Sequence, residues 1–182
     1  MKVKIKKLSK DAIVPFKTYD KDFCYDVVAI SEEEIAPNVW KYGLGLAFQI
    51  ERGWETIIKG DKLQSFGRIW AYDTKTDLHY SPFNFSIDFR PRSSIYKTGM
   101  VLSNSIGTID ELYSGEVCAI FYHFLPDMPR YHKGDKIGQI KLGITLPMDF
   151  IEVDKLDETE RGNGGFGSTG TNNYNYETQS RR

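Results

Sequence analysis

The chain never sustains a helical apolar stripe, and this limits its fold more than any other feature of the sequence. Apolar residues gather instead in short runs: Val27–Ile30, Leu44–Ile50, Phe83–Phe89, Val117–Phe121 and Ile137–Ile144. Each run is β-branched or aromatic and bounded by Gly, Pro, Asp or Asn, the pattern of strands cut by turns. Near the N-terminus Val3, Ile5 and Leu8 are interleaved with lysines, as in a strand with one wet face. A helical turn is expected only near Lys155–Glu160. Many short strands without a helical stripe point to an all-β barrel or sandwich.

At 182 residues the chain suits one domain with a real core. A net charge of −1 argues against general electrostatic capture of nucleic acid or of an anionic membrane, so any phosphate must be held by a few placed residues. No apolar run reaches transmembrane length and no secretion signal is visible. Cys24 and Cys118 are too few for a disulfide framework or a zinc site, and a reduced, cytoplasmic protein is expected. His79, His123 and His132 show no ligand spacing and read as structural or surface residues. Residues 51–80, rich in charge and aromatics, read as extra strands or a surface excursion. Residues 171–182 carry almost no core-forming content and read as a mobile tail.

Chemistry is concentrated in five places. Tyr25-Asp26 heads a strand, where a carboxylate could orient waters on a magnesium ion. Pro91-Arg92-Ser93-Ser94 groups a guanidinium and two hydroxyls after an extended segment, a set suited to phosphate oxygens. In Asn104–Glu116, Gly107 and Gly115 bracket a hairpin whose backbone could read a base edge. Asp110 and Tyr113 there combine a proton acceptor with an aromatic platform. Gly134–Ile140 joins a Gly-Asp turn to a strand carrying Gln139. Finally, Arg161-Gly-Asn-Gly-Gly-Phe166-Gly-Ser168-Thr169-Gly170 places five glycines around an arginine, an aromatic and two hydroxyls. Glycine permits close backbone approach to a ligand, and consecutive N–H groups can cradle an anion. Ser168 stands where a P-loop needs lysine, so this is not a P-loop.

In this order the five motifs resemble those of the homotrimeric dUTPases, over roughly residues 3–170. The resemblance implies a jelly-roll-like β-barrel subunit (residues 1–160), a Gly-rich closing motif (161–170) and a ring of three copies sharing active sites. It implies hydrolysis of dUTP to dUMP and pyrophosphate with Mg²⁺. Asp110 is the expected base that activates water against the α-phosphorus, and Asp26 is expected to act on Mg²⁺ through water. The hairpin residues Asn104, Gly107, Thr108 and Ile109 are expected to hold uracil, with Tyr113 packing under the deoxyribose. Arg92, Ser93, Ser94 and Gln139 are expected at the phosphates. In the closing motif Phe166 is expected to stack on uracil, while Arg161, Gly167, Ser168 and Thr169 close over the triphosphate. Asp26 and Arg92 are further apart than the family pattern, and the surplus maps to residues 51–80. It reads as a surface insertion and a candidate site for a protein partner. A dCTP deaminase-like enzyme and a non-catalytic regulatory nucleotide-binding member of the same fold are the alternatives.

Overall fold

A computed structural model describes residues 2–51, 71–73, 78–80, 84–166 and 168. By compactness the chain divides into Met1–Pro147 and Met148–Arg182.

The first unit is built from antiparallel strands. They are β1 (Lys2–Lys7), β2 (Tyr25–Val28), β3 (Ser31–Ala36), β4 (Val39–Gly43), β5 (Leu46–Glu51), β6 (Ala71–Asp73), β7 (Leu78–Tyr80), β8 (Asn84–Arg90), β9 (Met100–Leu102), β10 (Gly107–Asp110), β11 (Cys118–His123) and β12 (Lys136–Thr145). A short 3₁₀ turn, Ser93–Lys97, interrupts them after β8. One four-stranded sheet runs β10-β8-β12-β2 and another β3-β4-β11-β9, with β1–β5 and β6–β7 as separate pairs. The all-β expectation holds. The two four-stranded antiparallel sheets, packed across one core, are jelly-roll-like as expected.

Alternation explains how the sheets bury themselves. In β8, Phe85, Ile87 and Phe89 point inward while Ser86 and Asp88 stay on the outer face. β11 repeats the pattern with Ala119, Phe121 and His123. Phe89 and Phe121, one from each four-stranded sheet, meet edge to face with centroids 6.3 Å apart. Phe121 also meets Tyr42 at 5.8 Å and Tyr131 at 5.5 Å. Such offset geometry suits the ring quadrupoles and adds to simple burial. The buried Tyr42 hydroxyl donates to the Tyr131 carbonyl at 2.7 Å, so its polar end is satisfied. His123 is buried with Nε2 3.1 Å from the Met128 carbonyl, as a structural histidine should be.

The strand expectations at Val27–Ile30, Leu44–Ile50, Phe83–Phe89, Val117–Phe121 and Ile137–Ile144 coincide with β2, β5, β8, β11 and β12 to within a few residues. The helical turn near Lys155–Glu160 does not form. That stretch contains a bend and a turn, with Lys155 and Glu158 paired at 3.1 Å. Both cysteines are free. Of the 51–80 region, the described part is Glu51 at the end of β5 and the β6–β7 pair, which joins no other strand among the described residues. Residues 52–70 and 171–182, with the surface-insertion and mobile-tail expectations that fall on them, lie outside the described residues. Among the described residues no helix is long and apolar enough to cross a membrane.

Candidate functional site

The third motif folds as a turn, a short strand and a second turn. Ser105 takes φ 60, and its N–H donates to the Leu102 carbonyl at 3.2 Å, which swings Asn104 outward before β10 begins. β10 then pairs with β8, Gly107 opposite Phe89 and Asp110 opposite Ser86. A side chain at Gly107 would sit 3.3 Å from the Phe89 Cβ, so glycine lets β10 lie close over the core. The Tyr113 N–H closes the second turn on the Asp110 carbonyl at 3.0 Å. That bond holds the carboxylate and the phenol at one end of the hairpin.

These residues line one cleft of about 600 Å³. Its walls include Asn104, Gly107, Thr108, Ile109, Asp110 and Tyr113, all six expected of the hairpin. The opposite wall comes from β4 and β11 through Lys41, Cys118 and Ile120. Asp110 is exposed and Tyr113 is 48% exposed, so both can meet a ligand. Burial pushes the Cys118 thiol up, the Glu116 charge adds to this, and it stays a neutral wall group. Lys41 was not singled out by sequence reasoning. Its only signal is register: β4 pairs with β11, setting Lys41 opposite Ile120.

A second cluster forms where β2 and β12 pair, Asp26 opposite Gln139. Asp26 is 4% exposed. Its Oδ1 accepts from Gln139 Nε2 at 3.0 Å and lies 3.4 Å from Arg92 Nε, while Oδ2 accepts from Lys136 Nζ at 3.0 Å. Burial alone would raise the Asp26 carboxyl. The Gln139 and Lys136 hydrogen bonds and the charges of Arg92 and Lys136 outweigh it, holding the group below the usual carboxylate range. Lys136 also lies 4.7 Å from the centre of the Phe16 ring. Ser93 and Ser94 open the 3₁₀ turn that follows Arg92. None of Arg92, Ser93, Ser94 and Gln139 lines the cleft that holds Asp110. Within one chain the phosphate-type residues and the hairpin residues therefore form two separate groups.

Asp26 sits here as the counter-ion of Lys136 and Arg92. Both of its oxygens are already engaged by Lys136, Gln139 and Arg92, two of them cations, and the side chain is 5% exposed. Among the described residues no group of three or more His, Cys, Asp or Glu could hold a metal.

The fifth motif lies in the second unit and is held by its own turns. The Gly162 N–H donates to the Thr159 carbonyl at 3.0 Å, and Arg161 Nε donates to the Gly164 carbonyl at 2.8 Å. Gly162 and Phe166 both take φ 49, and the Phe166 ring is fully exposed. An L residue in the left-handed region is unfavourable without glycine's freedom. Ser168 is exposed, and its N–H donates to the Gly165 carbonyl at 2.9 Å. Gly167 and Thr169 lie outside the described residues.

Residues 71–170 match the family model described as dUTPase. The deoxyuridine 5'-triphosphate nucleotidohydrolase of Nautilia profundicola is 32% identical, covering 93% of this chain and 99% of that protein. The fold matches a Staphylococcus bacteriophage 80alpha dUTPase solved with dUpNHpp, with a TM-score of 0.66 and 18% identity over 93% of this chain and 99% of that one. It also matches a dUTPase of phage phi11 of S. aureus, described with a structural Mg(II) ion, with a TM-score of 0.59 and 14% identity over 87% of this chain and 100% of that one. By the family model and by its identity with the Nautilia protein, the chain belongs to the dUTPase family.

Proposed function

We propose that this chain hydrolyses dUTP to dUMP and pyrophosphate at the cleft that holds Asp110. The observation carrying this reading is the gathering of Asn104, Gly107, Thr108, Ile109, Asp110 and Tyr113 around one cavity, in a chain of the dUTPase family. The hairpin backbone reads the uracil edge, since a wrong donor and acceptor pattern would leave buried groups unpaired. Tyr113 packs under the deoxyribose. The Asp110 carboxylate takes a proton from water, whose oxygen attacks the α-phosphorus, and the bond to the bridging oxygen breaks to release pyrophosphate. Phosphoryl chemistry of this kind needs positioning and charge neutralisation more than covalent help.

Arg92, Ser93, Ser94 and Gln139 bind the phosphates, and the separation of that group from the cleft favours sites shared between copies in a homotrimer. The segment 161–170 is the closing element, Phe166 stacking on the base and Arg161, Gly167, Ser168 and Thr169 reaching the triphosphate. Closure excludes water and couples base recognition to chemistry. Magnesium belongs to this reading as a counter-ion travelling with the triphosphate, in keeping with the Mg(II) described for the phi11 relative. Residues 51–80 are the candidate surface for a protein partner, outside the reaction itself.

Pyrophosphate release measured across dUTP, dCTP, dTTP and UTP tests this function. Release from dUTP alone supports it, and ammonia release from dCTP would move the chain to the deaminase class.

A further inference from the structure

We propose that Lys41 reads the base: its ammonium donates to the oxygen at C4 of uracil and so makes the cleft prefer dUTP to dCTP. This rests on the assignment of the cleft to the nucleoside of dUTP.

Register sets Lys41 in place. Side chains alternate across β4, and Tyr42 is fully buried in the core, so Lys41 and Gly43 face the other way. On that face Cys118 and Ile120 of β11 stand opposite Gly43 and Lys41, and Lys41, Cys118 and Ile120 all line the cleft. The Ile120 carbonyl accepts from the Ser103 N–H at 2.9 Å, which sets Lys41 level with the Ser103–Asn104 end of the hairpin. Asn104 lies beside Gly107 at the start of β10, whereas Asp110 closes that strand and is bonded to Tyr113. With the deoxyribose over Tyr113 and the α-phosphorus at Asp110, the base extends toward Asn104. The C2 oxygen of uracil flanks the glycosidic nitrogen, and the C4 oxygen is on the far side of the ring. The far oxygen is therefore the one that reaches Lys41.

The charge is also available. Lys41 is the one cation in the cleft wall among the described residues. Glu116 lines the same cleft, but its Oε1 accepts from the Gly45 N–H at 2.8 Å. Among the described residues Lys41 has no ion pair. Burial and the Glu116 charge push the Cys118 thiol up while the Lys41 charge pulls it down, in keeping with an ammonium beside that wall. An ammonium has three donors and no acceptor. Uracil offers it an oxygen at C4, where cytosine carries an amino group, itself a donor. The first completes a charge-assisted hydrogen bond, and the second sets donor against donor.

The test compares dUTP with 4-thio-dUTP, whose sulfur is a weak acceptor, in the unmodified chain and in Lys41→Met, with a melting curve for each. In the unmodified chain the thio substrate is expected to raise KM about tenfold or more, with kcat within about threefold. Lys41→Met is expected to show a similar rise of KM with dUTP and to lose the difference between the two substrates. Lys41→Arg, which keeps a charged donor, should restore the preference for dUTP. A thio penalty that persists in Lys41→Met would overturn the contact with the C4 oxygen, as would an unchanged KM for dUTP in that variant. Equal losses in Lys41→Met and Lys41→Arg would mark a lysine that only supports the wall, and overturn it too. Should Lys41→Met not fold, Lys41→Ala is read in the same way. No pyrophosphate release from dUTP by the unmodified chain would overturn the reading of the cleft itself, and this assignment with it.

Discussion

The Tyr113 hydroxyl donates to the Glu116 carbonyl at 2.9 Å, folding the aromatic ring back over Gly115. This one bond sets the angle at which Tyr113 enters the cleft. A Cβ at Gly115 would stand 2.5 Å from the Tyr113 hydroxyl oxygen and 2.7 Å from the ring carbon that bears it. Gly115→Ala must therefore push the ring out of position. The expected result is a KM for dUTP raised about tenfold or more, because small misplacements of positioning groups are costly. Thermal stability should fall only modestly, by about 1–3 kcal/mol, as for overpacking. Steady-state kinetics beside a melting curve measures both.

Asp88 gives a prediction about acid. Its carboxylate lies 3.0 Å from Lys141 Nζ, accepts from Ser86 Oγ at 3.0 Å, and is 3.8 Å from Arg90. Burial would raise the carboxyl, but the bonds from Lys141 and Ser86 and the charges of Lys141 and Arg90 hold it below its ordinary value. A group depressed in this way stabilises the fold above its unfolded pKa of about 3.9 and loses that contribution as pH falls through the lower folded value. Asp88→Asn should be less stable at neutral pH by about 1–3 kcal/mol. It should also show a shallower fall of Tm than the unmodified chain below about pH 4. Parallel acid profiles would contradict the assignment.

The two separate groups of site residues predict complementation between copies. A mixture of Asp110→Asn and Arg92→Met chains, unfolded and refolded together, should recover dUTP hydrolysis that neither variant shows alone. Mixed trimers would contain sites with Asp110 from one chain and Arg92 from another. Activity no higher than the sum of the separate variants would argue that each chain holds a complete site.

Removal of residues 52–70 tests whether the extra segment is independent of the reaction. The expected outcome is unchanged kcat/KM for dUTP in a chain that still melts cooperatively. Loss of activity in a folded, trimeric deletion variant would tie the segment to catalysis.

Much of this was readable in the sequence, for physical reasons that also explain the gaps. β8 and β11 announce themselves because alternation of large apolar and polar residues is enforced by burial on one face. β3 carries Glu32-Glu33-Glu34 at the edge of its sheet, where almost nothing is buried and the apolar signal vanishes. β9 is three residues long, too short for a period to show. Asn104 through Tyr113 could be read as a site because local turns bring them together. Lys41 could not, because only the pairing of β4 with β11 carries it to the cleft. Asp26 was visible, but its partners were not. The residues that occupy its oxygens lie far along the chain, at Arg92, Lys136 and Gln139.

Asp110 is the base of the proposed reaction, and the most direct measurement is single-turnover pyrophosphate release by Asp110→Asn beside its binding of dUpNHpp. The amide keeps the shape of the cleft but cannot take a proton from water at neutral pH. Analogue affinity is expected within about threefold of the unmodified chain, with a rate lowered by about 10²–10⁴. A near-normal rate with dUTP bound in the same cleft would contradict it.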